Sequence, residues 1–146
     1  MSDLHVRWHI RRDLPETLAI DAASYRKAWT EERFLACMRK RNCISMTAEV
    51  RSTVVGFMTY ELEADRFVLI RLAVDPAWRF QGIGGEMVSK LVSKLGRPRR
   101  EEVDAFVSER NVAGHLFLAS HGFQCVGSQR SALLFRYKIP TLRETA

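Results

Sequence analysis

The residues whose types and spacing point most directly to chemistry run from Asp75 to Gly85: Asp75-Pro76-Ala77-Trp78, then Arg79-Phe80-Gln81-Gly82-Ile83-Gly84-Gly85, ahead of a helical pattern. A strand that stops at Asp75-Pro76 and passes through glycines into a helix start sets up an anion site. Helix N-termini present unpaired backbone N–H groups and the positive end of the helix dipole. Glycines let a pyrophosphate approach the backbone closely, and Arg79 adds a charged donor. The same glycines also suit a sharp turn that binds nothing. Two familiar phosphate loops are excluded, because no G-x-G-x-x-G follows a first strand and no Gly-Lys-Ser/Thr is present.

The elements that must position this turn are legible from hydrophobic period. Leu4 to Ile10 alternates, with Val6, Trp8 and Ile10 on one side and His5, Arg7 and His9 on the other, which predicts a half-buried strand. Leu14-Pro15-Glu16 opens a helix carrying Leu18, Ala22 and Tyr25, and Thr30 followed by Glu31 and Glu32 caps a second helix with Phe34, Leu35 and Met38 on one face. Three β-rich runs follow at 43–50, 53–62 and 67–74, the first two joined by Arg51-Ser52, short enough for an antiparallel hairpin. From Gly84 to Leu95, Met87, Val88, Leu91, Val92 and Leu95 make an amphipathic helix that stops near Gly96 and Pro98. A strand over 103–107, a helix over 111–121 ended by Gly122, and closing strands over 123–127 and 132–139 complete the chain, with a loose tail at 141–146. Seven strands and four helices in this order predict a mixed α/β fold on a largely antiparallel sheet.

At 146 residues and 47% hydrophobic, the chain has the size and apolar content for one domain over 1–146. No secretory signal and no apolar run of about 18 residues is present, so a soluble, cytoplasmic protein without a membrane partner is expected. Cys37, Cys43 and Cys125 are odd in number and lack a C-x-x-C pair, which predicts three ordinary, mostly buried thiols and no metal site. The net charge of +6 draws on Arg39-Lys40-Arg41 and Arg97-Pro98-Arg99-Arg100. Such a surface attracts polyanions, yet no basic-aromatic stripe or nucleic-acid motif accompanies it, so no specific nucleic-acid partner is expected.

Around the turn, the chain resembles the GNAT superfamily of N-acetyltransferases, whose hallmark is R/Q-x-x-G-x-G/A. Leu72-Ala73-Val74-Asp75-Pro76 is similar to the strand exit before that hallmark. Ala28-Trp29-Thr30-Glu31-Glu32-Arg33-Phe34 resembles the early helices of the ribosomal-protein N-terminal (RimI-type) acetyltransferases, and Asn111 through Leu116-Phe117 to Gly122-Phe123 resembles the family's final helix. The resemblance implies a GNAT fold, a seven-stranded sheet with splayed central strands, and acetyl-coenzyme A as cofactor. It implies that the backbone of Leu72, Ala73 and Val74 binds the acetyl and pantetheine portion, with the Val74 N–H polarising the thioester carbonyl. Arg79, Phe80, Gln81, Gly82, Ile83, Gly84 and Gly85 would hold the pyrophosphate, and Asn111 would contact the pantetheine arm. The Arg97 to Arg100 cluster is either a second phosphate contact or a solvated loop.

The family pattern breaks where protons move. RimI-type enzymes carry a glutamate base five residues before the asparagine and a tyrosine acid seven residues after it; these positions are Phe106 and Leu118. Replacements are sought in His115, one helical turn beyond Asn111, and in Glu61 at the end of a strand, each of which is equally readable as a packing or rim residue. Without a base, an α-amine with pKa near 8 is neutral in about one molecule in ten at pH 7, against fewer than about one in a thousand for lysine. An α-amino group of a protein or peptide is therefore the expected acceptor, attacked directly in a ternary complex. The short turn near Gly127-Ser128-Gln129-Arg130, where RimI-type enzymes have a longer loop, also admits small amines or lysine side chains. A catalytically weak acyl-CoA-binding module is the rival, and either would act as a monomer or homodimer.

Overall fold

The computed structural model describes residues 3–96 and 99–140; Arg97, Pro98 and the expected tail at 141–146 lie outside them. Strand β1 (Leu4–Trp8) ends two residues before its alternation does. The Ile10 N–H turns instead to the Asp13 carboxylate at 2.9 Å and starts a 3-10 turn at Arg11–Asp13. Helix α1 (Leu14–Ser24) holds Pro15 in its first turn. Helix α2 (Glu31–Arg39) begins at Thr30, whose hydroxyl accepts the Arg33 N–H at 3.1 Å as its sequence predicts. Strands β2 (Cys43–Val50) and β3 (Thr53–Leu62) join through Arg51 and Ser52, both at positive φ, the conformation a two-residue hairpin needs. Then come β4 (Arg66–Val74), α3 (Ile83–Val92), β5 (Glu102–Ser108), α4 (Val112–Ser120), β6 (Gln124–Gln129) and β7 (Ala132–Lys138). The last hairpin turns at Arg130-Ser131, tighter than the expected loop, because β6 runs on through Gly127 and Ser128.

The strands form one sheet in the order β1-β2-β3-β4-β5-β7-β6, antiparallel throughout except for the β4–β5 pair. Successive strand residues point to opposite faces, and both faces are covered. Phe57 and Ala73 meet Leu14, Ile20, Trp29 and Phe34 of the α1–α2 layer, whereas Met58 and Val103 meet Ile83, Met87, Leu91 and Leu118 of the α3–α4 layer. The parallel pair is tied laterally by charge: Asp104 of β5 accepts from Arg66 of β4 at 2.8 Å and from Arg136 of β7 at 2.7 Å.

The cysteine expectation is corrected. Cys37 at the end of α2 and Cys43 at the start of β2 form a disulfide, with Cα atoms 5.8 Å apart, and Cys125 is exposed on β6. Residues six apart look unrelated along one helix, but the chain reverses between α2 and β2 and brings them together. Among the described residues no cluster of ligating side chains fits a metal ion, and no helix is long and apolar enough to cross a membrane.

Asp13 anchors β1 to α1. It is 2% exposed, and both its oxygens accept from Arg7 at 2.8 and 2.9 Å. Burial alone would raise its pKa, but the Arg7 hydrogen bonds and the Ile10 N–H outweigh that and hold it at about 2, against an ordinary 3.8. A folded-state pKa below the unfolded one stabilises the fold above the unfolded value and loses that contribution as pH falls. Wild type should therefore lose about 2 kcal/mol from this carboxylate between roughly pH 4 and pH 2. Urea melts across that range should show this decline in wild type and its absence in Asp13→Asn.

Candidate functional site

The site begins where β4 and β5 part. Their parallel pairing ends at Leu69↔Ala105, although β4 continues to Val74 and β5 to Ser108. The parting coincides with a bulge: Thr59 pairs Arg71 and Tyr60 pairs Leu69, so Ile70 is an extra residue on β4. Beyond it, the Asp75 N–H donates to Val55 O at 2.8 Å, on the β3 side. Backbone groups alternate along a strand, so those of Leu72 and Val74 face the opening and those of Ala73, paired with Phe57, face β3. A cavity of about 900 Å³ fills the opening, walled by Ile70–Leu72, Phe106–Ser108, Asn111, Phe117, Leu118 and the chain from Ser24 to Lys27.

At one end of this opening α3 starts. Gly82 is its N-cap at φ 83, a left-handed conformation suited to glycine, and no side chain caps the first turn. The first intrahelical bond runs from Glu86 N–H to Gly82 O, so the N–H groups of Ile83, Gly84 and Gly85 lie ahead of the ladder. Gly84 and Gly85 also have a packing reason. A Cβ would lie 3.1 Å from the Phe117 ring at Gly84 and 2.6 Å from His121 Nε2 at Gly85, so α3 approaches α4 only because both are bare. Phe80 is fully exposed at positive φ. Arg79 donates from Nε to Val74 O and from Nη2 to Ser24 Oγ, each at 3.0 Å, bracing the end of β4 against α1.

Opposite β5, the α1–α2 connection is held over the opening by a buried charge network. Asp21, with no exposed surface, accepts from the Trp29 N–H at 2.7 Å and from Arg71 Nε and Nη2 at 2.8 and 3.1 Å. Arg71 Nη2 also donates to Lys27 O at 2.8 Å, and its guanidinium lies 3.7 Å from the Tyr25 ring centre. The Tyr25 hydroxyl donates to Leu72 O at 2.8 Å and accepts from Leu72 N–H at 3.2 Å, satisfying the bare β4 edge in the way a neighbouring strand would. Burial raises the Tyr25 pKa, partly opposed by the Leu72 bond and Arg71, so the phenol is protonated at neutral pH.

A strand pair prised open beside an uncapped helix start is the arrangement expected of the resembled fold, and the family model for the acetyltransferase (GNAT) family matches residues 6–123. The chain belongs to the GNAT acetyltransferase family. Solved structures of similar fold include PaiA N-acetyltransferase from Thermoplasma acidophilum in complex with coenzyme A, at 21% identity and TM-score 0.77 over 93% of this chain and 99% of that one. The ribosomal-protein-S18-alanine N-acetyltransferase of Escherichia coli aligns at 18% and 0.82, covering 94% of this chain and 95% of that one. Ard1 from Thermoplasma volcanium aligns at 19% and 0.84, covering 95% and 99%. No curated protein matches the sequence.

Within this GNAT fold the two departures from the family pattern fall inside the site: Phe106 and Leu118 both line the cavity, and neither transfers protons. The replacements sought for them do not reach it. His115 Nε2 bonds to Ser108 O at 2.8 Å and its ring stacks on Phe135, away from the lining. The stripe counted from Asn111 fails because Asn111 is not helical: at φ −87 and ψ 73 it is the N-cap, its side chain accepting the Gly114 N–H at 3.0 Å. Gly114, Phe117 and Leu118 face the cavity instead. Glu61 pairs with Cys43 and Val68 on the closed side of the bulge and lies 3.9 Å from Lys40. The sequence places Tyr25 only on the apolar spacing of the first helix and does not single out Arg71; the signal that could have found them is the opposite charge of Asp21 and Arg71 set among residues destined for burial.

Proposed function

We propose that this GNAT protein transfers the acetyl group of acetyl-coenzyme A to a primary amine, by direct attack in a ternary complex, with a protein or peptide α-amine as acceptor. The observation that carries this reading is the β4 edge at Leu72 and Val74, which no strand pairs and which only the Tyr25 hydroxyl and the Arg79 side chain cover, with Leu72 on the wall of the cavity and Gly84 of the uncapped α3 start packed near it. Such an edge is a strand-like receptor for the amides of a pantetheine arm, and the α3 N–H groups with Gly82 to Gly85 suit its pyrophosphate. The coenzyme bound to PaiA and the alanine acceptor in the name of the Escherichia coli protein support cofactor and acceptor in turn.

Acetyl-coenzyme A supplies the activated acetyl group, and the chain's own groups manage orientation and protons. The Val74 N–H, on the same strand edge as Leu72, would polarise the thioester carbonyl, and Asn111, exposed at the cavity wall, would contact the arm. The amine nitrogen bonds to the carbonyl carbon as the carbon–sulfur bond breaks. Among the described residues no carboxylate or imidazole lines the cavity, so the amine's proton would leave through water, while the Tyr25 O–H, which donates to Leu72 O in the free protein, would turn to protonate the departing sulfur and regain its proton from solvent. Without a base, a low-pKa amine is favoured.

Calorimetric titration with acetyl-coenzyme A, followed by thiol release with matched α-amine and lysine peptides across pH 6.5 to 9, tests the reading. Tight binding and faster turnover of the α-amine at neutral pH are expected; preferential turnover of lysine at pH 7 overturns the acceptor. Phe106 and Leu118 favour one rival, an acyl-CoA-binding module. Acetyl-coenzyme A would stabilise it equally, but no amine would release free thiol.

A further inference from the structure

The cavity wall is charged on one side of the ledger only. Its ionisable lining residues are Tyr25, Arg26, Lys27, Arg71 and Arg110, with no aspartate, glutamate or histidine among them. Arg71 is neutralised by buried Asp21. Arg26, Lys27 and Arg110 are exposed, and none has an ion-pair partner among the described residues. Three uncompensated cations thus surround the mouth of a cavity of about 900 Å³, two on the α1–α2 connection and one on the turn before α4.

We infer that the acceptor is an amine carrying one or more carboxylates close to the reacting nitrogen, such as the α-amine of a peptide with acidic residues at its second and third positions. This rests on the transferase reading and specifies its substrate. Charge complementarity of this kind draws acidic acceptors in and repels polyamines and basic peptides. It also bears on the missing base. Cations beside a bound ammonium disfavour its charged form, so the wall that grips the carboxylate also shifts the amine toward its neutral, nucleophilic state. With the pyrophosphate assigned to the uncapped start of α3, Arg26 and Lys27 are left for the acceptor.

The test compares peptides of equal length with Asp-Glu, Gln-Gln or Lys-Arg at positions two and three, plus free glutamate and spermidine. It reads kcat/KM by thiol release and binding to the CoA-saturated protein by anisotropy or calorimetry. Acidic peptides should exceed basic ones by about tenfold or more at low salt, with the preference shrinking toward parity at about 0.5 M salt as screening sets in. The double variant Arg26→Glu/Lys27→Glu should reverse the order while leaving the acetyl-coenzyme A Kd unchanged. Glutamate turned over as well as the acidic peptide upholds the inference and makes the source a small amino-carboxylate. Equal or better use of basic peptides by wild type overturns it. So does a double variant that weakens acetyl-coenzyme A without altering acceptor order, which would assign the cations to coenzyme phosphates. Acidic preference in binding without thiol release upholds the charge selectivity and overturns the transferase reading instead.

Discussion

Asp21→Ala should lower folding stability by about 3–5 kcal/mol, a large part of the roughly 5–15 kcal/mol available to a domain. Asp21 has no exposed surface and satisfies three donors, the Trp29 N–H and two on Arg71. Its loss leaves the Arg71 guanidinium, itself only 13% exposed, without a counter-charge and the Trp29 N–H without an acceptor. Asp21→Asn keeps an acceptor for Trp29 but not the charge, and should fall between. The informative control removes both ends: Asp21→Leu/Arg71→Met should recover much of the stability, because a buried ion pair gains little over apolar groups of similar size. It should not recover activity, because the α1–α2 connection and the Tyr25 ring lose the guanidinium that pins them. Urea melts and thiol release on the same preparations separate the two effects. Full stability in Asp21→Ala would refute the network's structural weight.

Tyr25→Phe should leave the fold nearly intact and lower kcat by about 10²–10⁴-fold, the range for a positioned proton donor. The ring and its stacking on Arg71 remain. Only the hydroxyl bridging Leu72 N–H and O is lost, a stability cost of about 1 kcal/mol. Acetyl-coenzyme A itself supplies amides for that edge, so its Kd should change far less than kcat. A kcat within about threefold of wild type would remove Tyr25 from the chemistry and leave it as the group that covers β4 in the free protein.

Periodicity made most of the scaffold legible. The Thr30 cap and the two-residue hairpin at Arg51-Ser52 each follow from a few neighbouring residues and stand where those residues place them, and the helix expected from Gly84 to Leu95 forms over Ile83–Val92. Where sequence and structure part, the cause lies beyond periodicity. The stripe from Asn111 to His115 breaks because α4 starts one residue after Asn111, and the odd count of cysteines without a C-x-x-C pair does not reveal the chain reversal that joins Cys37 to Cys43.

The sequence by itself therefore determined the order of strands and helices and the glycine-bearing start of α3, both properties of residue type and short-range period, while the resemblance to RimI-type enzymes marked Phe106 and Leu118 as the positions where that pattern breaks. Tertiary structure alone decided where β4 leaves β5, which edge groups of Leu72 and Val74 the parting exposes, and that Tyr25, 47 positions away from Leu72, comes to rest on them. A bulge in register and a buried Asp21–Arg71 pair, 50 positions apart, produce that placement. Neither leaves a periodic trace in a chain read one window at a time.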